Sequence, residues 1–130
     1  MSGITYADAS ALVKLVLDEP DAGPMRHWYV EHERVVSSRI GIIETHRAAA
    51  RKSPDRAHVE AILRSVEIVE LDPSIAQHAQ SAGPATLRTL DAVHLATALV
   101  LGGDVDAFVT YDDRLADAAR LLGLPVVRPA

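Results

Sequence analysis

At 130 residues the chain has the length of one domain, and such a domain buries about two-thirds of the surface that its unfolded chain exposes. It contains no cysteine, which excludes disulfide bonds, thiolate zinc sites and cysteine nucleophiles. The formal net charge of −5 argues against a general nucleic-acid coat, because such proteins neutralise phosphates with Lys and Arg. It leaves room for an enzyme whose acidic site is masked by divalent cations.

Nothing in the sequence predicts a membrane or secreted protein. No basic leader followed by an apolar stretch opens the chain, and its longest apolar run is far shorter than the ~20 residues that a membrane span needs. The absence of cysteine agrees with a reducing compartment. We therefore expect a cytoplasmic protein without a membrane partner.

Hydrophobic patterning predicts short strands that alternate with helices along the whole chain. In chain order, the predicted elements are strand 4–7, helix 10–17, helix 24–33, strand 35–38, helix 39–52, helix 54–65, strand 66–71, helix 72–83, helix 90–101, strand 107–110, helix 113–122 and strand 124–127. This alternation with short links indicates a parallel sheet covered by helices on both faces. The chain has no internal repeat or linker, so we expect one α/β domain over residues 1–130.

Individual residues define several of these elements more closely. Ser38 is the expected N-cap of the third helix, and Pro54 suits the first turn of the fourth. Residues 66–71 alternate apolar and polar side chains, which favours a half-buried strand at an edge of the sheet. Residues 90–101 are apolar almost all round and predict a fully buried helix, which Gly102 ends.

Four carboxylates stand where strands end or where a charge is costly to bury. Asp8 follows the first strand and Asp112 the fourth, and the carboxyl ends of parallel strands meet at one edge of a sheet, where ligands collect. Glu44 shares a helix face with Ile40, and Asp91 lies in the first turn of the most apolar helix. A carboxylate on a buried face costs free energy unless it is paired or bound to a cation.

Each carboxylate also has an ordinary structural explanation. The two that follow strands suit helix N-caps. Glu44 could form an ion pair with Arg47 or Arg51 on its own helix, and Asp91 suits the positive end of its helix. Four acids that approach one edge of a sheet repel one another, however, and the adjacent motifs offer no partner lysine. Divalent cations are the natural neutraliser, and oxygen ligands of this type suit Mg²⁺ or Mn²⁺.

An acidic cluster that binds cations has a recognisable chemistry. One or two cations held by shared carboxylates can activate a water and stabilise the leaving oxygen when a phosphodiester is cleaved. The cations also offset the repulsion between an acidic pocket and a polyanionic substrate. The negative net charge is therefore compatible with an enzyme that acts on nucleic acid.

Four blocks of the sequence resemble the signature of PIN-domain nucleases, and most closely that of the VapC toxins of bacterial toxin–antitoxin pairs. The blocks are residues 8–15, Glu44 followed by Arg47, residues 90–98 and residues 110–112. The resemblance covers nearly the whole chain, in order and at the expected spacing. The first and third blocks are specific, whereas the second is little more than a Glu on a helix.

The resemblance implies a three-layer α/β/α sandwich with a central, mainly parallel sheet of four to five strands. It also implies an endoribonuclease that depends on Mg²⁺, with Mn²⁺ as a substitute, that is inhibited by a cognate VapB-type antitoxin and that forms a homodimer. By position, the acidic quartet and its supporting polar residues are Asp8, Glu44, Asp91 and Asp112 with Ser10 and Thr110. The metal ligands that it implies are Asp8, Asp91 and Asp112, and Glu44 is expected to act through a water.

Several positions leave the assignment open. Ala9 stands where the family usually has Thr or Ser, which removes a hydroxyl but no ligand. Asp113 beside Asp112 offers a second carboxylate for one position, and the family pattern favours Asp112. His94 lies one turn after Asp91 and could act as a general base. A buried histidine that is hydrogen-bonded among the helices is favoured, because the metal already supplies the hydroxide.

Two further expectations concern the surroundings of the quartet. Ser10 is expected to take over part of the capping of the first helix from Asp8. Basic residues in or beside the signature blocks could bind RNA phosphates, although solvated surface is the simpler explanation for most of them. They are Lys14, Arg39, Arg47, Arg51, Arg88 and Arg114.

Two other functions fit parts of the pattern. A phospho-acceptor domain of the receiver type is also α/β with acidic residues at strand ends, but it needs an acidic pair after the first strand and a lysine after the last full one. Here Asp8 stands alone, and Asp112 and Asp113 occupy the later position. The second alternative is a non-catalytic PIN-like module that binds RNA or a partner, and the complete quartet counts against it.

Overall fold

The computed structural model describes residues 3–32, 34–52 and 55–130. Its strands are β1 (Ile4–Ala7), β2 (Val35–Ser38), β3 (Glu67–Val69), β4 (Val105–Val109) and β5 (Val126–Val127). Its helices are α1 (Ala9–Val16), α2 (Ala22–Glu31), α3 (Arg39–Ala50), α4 (Arg56–Arg64), α5 (Pro73–Ala79), α6 (Thr89–Leu101) and α7 (Asp113–Leu121), and a 3₁₀ turn (Gly102–Asp104) precedes β4. The expected role of Pro54 and the predicted helix end at residue 33 lie outside the described residues.

The described strands form one sheet in the order β3-β2-β1-β4-β5, and every neighbouring pair is parallel. This confirms the predicted α/β class. β3 lies at an edge, as its alternating pattern predicts, but it is shorter than the predicted strand 66–71. It ends early because its partner β2 ends at Ser38, which pairs with Val69.

Helices cover both faces of the sheet and enclose two apolar cores. The core between α1–α4 and one face of the sheet includes the buried side chains of Leu12, Leu15, Met25, Ile42 and Leu63. The core between α6, α7 and the opposite face is built around Tyr6, Leu95, Phe108 and Leu115. The rings of Tyr6 and Phe108 stack there with their centroids 5.3 Å apart. This arrangement is the three-layer α/β/α sandwich that the resemblance implies.

Side-chain oxygens cap most of the described helices. The capping residues, each accepting a hydrogen bond from a backbone N–H of the helix that follows, are Asp8, Ser38, Asp55, Asp72 and Asp112. The predicted cap at Ser38 is therefore confirmed. The helix predicted over residues 72–83 ends earlier, at Ala79, and the chain then turns through Gly83, whose φ is 70°. Since Pro84 also disfavours helical backbone at the residue before it, residues 80–88 form a connection to α6.

Helix α6 is buried in its middle and exposed at its ends. Residues 91–98 are all buried, whereas Leu90 is 45% exposed and Val100 is 48% exposed. The prediction of a fully buried helix is wrong for these ends. The sequence shows only that the side chains are apolar, and this does not tell whether they contact a core or solvent. Neither α6, at 13 residues, nor any other described helix is long and apolar enough to cross a membrane.

Candidate active site

The ends of β1 and β4 bring Asp8 and Asp112 to the same edge of the sheet. Ala7 and Val109 pair in these neighbouring strands, and the chain leaves the sheet directly after each of them. The backbone N–H of Asp8 still donates to the carbonyl of Val109, at 3.2 Å. Parallel topology thus places two of the four predicted carboxylates side by side, as the sequence predicts.

Asp8 is a buried carboxylate that is surrounded by neutral donors. Only 3% of the residue is exposed. Oδ1 accepts hydrogen bonds from the Ser10 hydroxyl at 2.7 Å and the Ala11 N–H at 3.0 Å, and Oδ2 accepts one from the Thr110 hydroxyl at 2.6 Å. Burial raises the pKa of Asp8 above its ordinary value. No described Lys or Arg forms an ion pair with this carboxylate, so its charge is left without a cationic partner.

Ser10 and Thr110 hold the Asp8 carboxylate and connect it to the loop after β4. The Ser10 hydroxyl accepts a hydrogen bond from the N–H of Tyr111 at 2.8 Å, and that of Thr110 accepts one from the N–H of Asp112 at 3.0 Å. Both residues therefore lie where supporting polar residues were predicted. The expectation that Ser10 caps α1 is wrong, because Asp8 itself accepts the N–H of Ala11 and the Ser10 hydroxyl is directed to Asp8.

Arg88 joins Asp91 to Asp112. Its Nε lies 3.2 Å from Oδ2 of Asp91 and one terminal nitrogen lies 3.0 Å from Oδ2 of Asp112. Burial and the charge of Asp112 raise the pKa of Asp91, and Arg88 opposes this shift. From the sequence we expected no partner lysine for the acidic cluster and considered Arg88 only as a surface or phosphate-binding residue. Its spacing of three residues from Asp91 was the available signal, since such pairs are neighbours on a helix.

The structure distinguishes Asp112 from Asp113. Oδ1 of Asp112 accepts the N–H of Leu115 and caps α7, while Oδ2 faces Arg88. The side chain of Asp113 is 86% exposed and pairs with Arg128 at 2.7 Å. Asp112 is therefore the carboxylate that faces the other acids, and its predicted role as a helix cap is also fulfilled.

Glu44 contacts His94 rather than an arginine of its own helix. Oε1 of Glu44 lies 2.8 Å from Nε2 of His94, and no described ion pair joins Glu44 to Arg47 or Arg51. The imidazole is buried, with 1% of the residue exposed, and its Nδ1 lies 2.7 Å from the hydroxyl of Tyr6. His94 is thus the buried, hydrogen-bonded histidine that was favoured, but its contacts with Glu44 and Tyr6 were not predicted.

The carboxylate oxygens are of the type that binds Mg²⁺ or Mn²⁺, but they do not form a closed ligand set. No three acidic or histidine side chains among residues 3–32, 34–52 and 55–130 are grouped closely enough to hold a metal ion. Arg88 occupies one oxygen each of Asp91 and Asp112, while Oδ2 of Asp8 accepts a single hydrogen bond. A carboxylate oxygen has room for two such interactions, so these oxygens suit a hard divalent cation by type, but Asp91 and Asp112 could bind one only if Arg88 moved away from them.

A groove of about 500 Å³ opens beside Glu44 and Ser10. Basic side chains line one part of it, namely Lys14, Arg47 and Arg51. Lys14 is engaged with the carbonyl of Pro20 at 2.7 Å, whereas Arg47 and Arg51 have no ion pair within the described chain. The groove therefore offers two exposed guanidinium groups next to the carboxylates, an arrangement that suits a phosphate backbone.

Comparison with known proteins agrees with this fold. A family model described as the PIN domain matches residues 5–121. The chain belongs to the PIN-domain family. Two curated relatives from Mycobacterium tuberculosis are similar over almost their full length. Ribonuclease VapC46 is 39% identical, with 96% of this chain and 97% of the relative covered, and ribonuclease VapC47 is 35% identical, with 95% and 96% covered. The chain is thus a PIN-domain protein of the VapC type.

Solved structures support the same PIN fold at lower sequence identity. The structure of Mycobacterium tuberculosis VapC20, described as a sarcin–ricin loop cleaving toxin, superposes with a TM-score of 0.75 at 19% identity and covers 96% of this chain and 99% of its own. A toxin–antitoxin complex from Klebsiella pneumoniae gives a TM-score of 0.69 at 20% identity, with 97% and 98% covered. The agreement over both full chains supports the description of a PIN sandwich.

Proposed function

We propose that this PIN-domain protein is a divalent-metal-dependent endoribonuclease that acts as the toxin of a VapBC-type toxin–antitoxin pair. The observation that carries the proposal is the carboxylate of Asp8, which is buried at the edge of the sheet with neutral donors and no cationic side chain. A buried charge without a partner is expensive, and an ion supplied from outside the chain removes that cost. The relatives named ribonuclease support RNA as the substrate.

Each member of the quartet has a part in this proposal. Asp8, Asp91 and Asp112 would hold Mg²⁺ or Mn²⁺, and Ser10 and Thr110 orient Asp8 through their hydroxyls. A cation held there would supply an activated water and would stabilise charge at the leaving oxygen. Glu44 orients the attacking water with the oxygen that His94 leaves free. Arg47 and Arg51 bind backbone phosphates in the groove beside it.

The cleavage assay uses the purified protein without any antitoxin. We expect it to cut RNA with Mg²⁺ or Mn²⁺ and to be inactive with EDTA. Asp8→Asn and Asp91→Asn should lower the rate by at least about 100-fold, because each removes a charged ligand of the ion. Equal cleavage by the wild type and both variants would refute the metal site and favour a non-catalytic binding module.

The neighbouring carboxylates Asp112 and Asp113 provide a matched control. Asp112→Asn should abolish cleavage, whereas Asp113→Asn should leave it nearly unchanged, because Asp113 pairs with Arg128 away from the other acids. Asn is as good a helix cap as Asp, so the loss in Asp112→Asn would not come from α7. The reverse pattern would reassign the fourth position of the quartet.

The toxin role and its partners follow from membership of the VapC type and are tested separately. Expression should arrest bacterial growth, and Asp8→Asn should relieve the arrest. Co-expression with the small protein encoded by the adjacent gene should yield a complex without nuclease activity. Light scattering after gel filtration should give the mass of a homodimer, and a monomer at all concentrations would exclude that part of the proposal.

A further inference from the structure

A chain of buried hydrogen bonds connects the sheet to Glu44. The backbone N–H of Ser38 donates to the Tyr6 hydroxyl at 3.2 Å, this hydroxyl lies 2.7 Å from Nδ1 of His94, and Nε2 of His94 lies 2.8 Å from Oε1 of Glu44. Tyr6 and His94 are 0% and 1% exposed, so water does not reach either ring. This series of hydrogen bonds therefore starts at the end of β2, passes through Tyr6 of β1 and His94 of α6, and ends on Glu44, a carboxylate of the quartet.

The direction of each hydrogen bond follows from the partners. The Tyr6 oxygen accepts from the Ser38 N–H at 3.2 Å and lies 2.7 Å from Nδ1 of His94. The hydroxyls of Ser37 and Thr97 are also close to it, but an imidazole nitrogen is a stronger acceptor than a hydroxyl oxygen, so we take the Tyr6 proton to point to Nδ1. An imidazole whose Nδ1 accepts a hydrogen bond carries its proton on Nε2. That proton faces the Glu44 carboxylate, whose Oε1 lies 2.8 Å from Nε2, whereas the lone pair of an unprotonated Nε2 would repel the carboxylate.

Gly41 makes room for the imidazole between α3 and α6. A Cβ at this position would lie 2.9 Å from Cε1 of His94 and 2.4 Å from Oγ of Ser37, closer than real side chains allow. Gly41 lies one turn before Glu44 on α3, so the helix that carries the carboxylate is also the helix that lets the imidazole approach. A glycine at this point in a helix costs stability relative to alanine, which indicates that the close approach has a purpose.

We propose that His94 is a positioning residue for Glu44. Its neutral imidazole, anchored by Tyr6, donates from Nε2 to Oε1 of Glu44 and turns the second oxygen, Oε2, towards the attacking water. Both ring nitrogens are engaged and the ring is buried, so His94 has neither a free lone pair nor access to water and does not act as the general base. The inference about catalysis rests on the proposed nuclease activity, but the proton position on His94 does not.

The proton position is measured by long-range ¹H–¹⁵N NMR of the histidine rings in the full chain at neutral pH with EDTA. The spectrum of His94→Gln identifies the signals of His94 among the six histidines. We expect one ring nitrogen without a proton, Nδ1, and a proton on Nε2 that exchanges slowly with water. A proton on Nδ1, or protons on both nitrogens, would overturn the inference whether or not the protein cuts RNA.

Cleavage kinetics then test whether the contact acts through Glu44. His94→Leu should lower kcat by about 10- to 100-fold with KM nearly unchanged, the range typical of residues that orient a catalytic group. His94→Gln, which keeps an N–H donor, should recover part of that loss. In the background of Glu44→Gln, the change His94→Leu should cost little further activity, because the group that it positions is already gone.

A purely structural role predicts a different result. It would give multiplicative losses in the double variant and no rescue by His94→Gln, and either result would overturn the proposal. Tyr6→Phe is the second variant in case His94→Leu does not fold, since it removes only the hydroxyl that anchors Nδ1. It should lower kcat in the same direction and change the chemical shift of Nδ1, because that nitrogen loses its hydrogen-bond donor, while the proton stays on Nε2 opposite Glu44. An unchanged Nδ1 signal and an unchanged rate would refute the positioning role.

Discussion

The carboxylate of Asp8 is divided between two functions, because Oδ1 accepts the N–H that caps α1 and Oδ2 faces the loop after β4. A helix cap and a metal ligand are alternatives in the sequence, but in the structure the cap uses only Oδ1 and leaves Oδ2 for the proposed ligand role. The cap needs only a neutral acceptor, whereas the proposed ligand needs the charge. The substitution Asp8→Asn therefore separates the two functions, because it keeps a neutral acceptor for the cap and removes the charge.

Asp8→Asn should stabilise the protein in the absence of divalent ions. The variant keeps an oxygen for the cap and removes a desolvated charge, so we expect the free energy of unfolding in EDTA to rise by about 1 kcal/mol. In the wild type, Mn²⁺ at 100 times its Kd should add about 2.7 kcal/mol, and the variant should gain almost nothing. Urea unfolding measures both values. A variant less stable than the wild type in EDTA would contradict the argument.

Arg88→Gln should tighten the binding of Mn²⁺ severalfold. In the wild type an ion bound at the proposed site would have to displace the guanidinium from Asp91 and Asp112, and the variant removes that competitor. Titration followed by the EPR signal of free Mn²⁺ gives the Kd directly. Arg34→Gln is the control, since it removes an arginine–carboxylate pair of similar length outside the cluster, with Glu67. Weaker binding in Arg88→Gln would mean that Arg88 orients the carboxylates for the ion instead of competing with it.

At the scale of the elements, the positions of α3 and α6 relative to each other determine the geometry of Glu44. The two helices meet around Gly41 and His94, and their approach is closer than an alanine at position 41 allows. Ser37 lies on the other side of the same glycine, and its hydroxyl donates to the carbonyl of Ala7 at 2.6 Å. A change at Gly41 therefore acts on β2, α3 and α6 together.

Gly41→Ala should lower the free energy of unfolding, although alanine is the better helix former. Overpacking a tight core costs about 1–3 kcal/mol, which exceeds the gain of about 1 kcal/mol in helix propensity. Gly23→Ala in α2 is the matched control, because a Cβ there meets no heavy atom within 4 Å. It should leave stability unchanged or raise it by up to about 1 kcal/mol. The free energy of unfolding of both variants is measured in urea. A change of the same sign in both would contradict the close contact at Gly41.

The sequence-based prediction and the structure agree most closely where strand topology alone determines the position of a residue. Asp8 and Asp112 follow strands of a parallel sheet, so their common edge is a consequence of the strand pattern. The contacts of Arg88 with Asp112 and of His94 with Glu44 join residues 24 and 50 positions apart. These contacts depend on the angle and distance at which α6 packs against α3 and β4, and no local pattern encodes those quantities. The sequence therefore predicts that Asp8 and Asp112 lie at the same edge of the sheet, but not that Arg88 and His94 contact the acids.

At the scale of the whole molecule, the net charge of −5 would oppose the approach of the proposed RNA substrate, and the few exposed arginines near the carboxylates would have to offset it. Arg47 and Arg51 line the groove beside Glu44, Arg47 from the last turn of α3 and Arg51 from its C-cap, where the backbone is still helical. Their spacing of four residues places both on one face of the helix. Phosphates of a bound RNA strand are therefore expected to contact this face of α3, about one turn and two turns after Glu44.

The double change Arg47→Gln and Arg51→Gln should raise KM for RNA severalfold at moderate salt and leave kcat nearly unchanged. Each phosphate contact with a single strand contributes about 0.7 to the slope of log affinity against log salt, so the slope should fall by about 1.4. The control exchanges Arg64 and Arg120 for Gln, which changes the net charge equally. Both lie at helix ends that lead into strands, on the opposite edge of the sheet. If the control shifted KM and the slope as much as the groove variant, RNA binding would depend on net charge alone, and the groove would lose its assigned role.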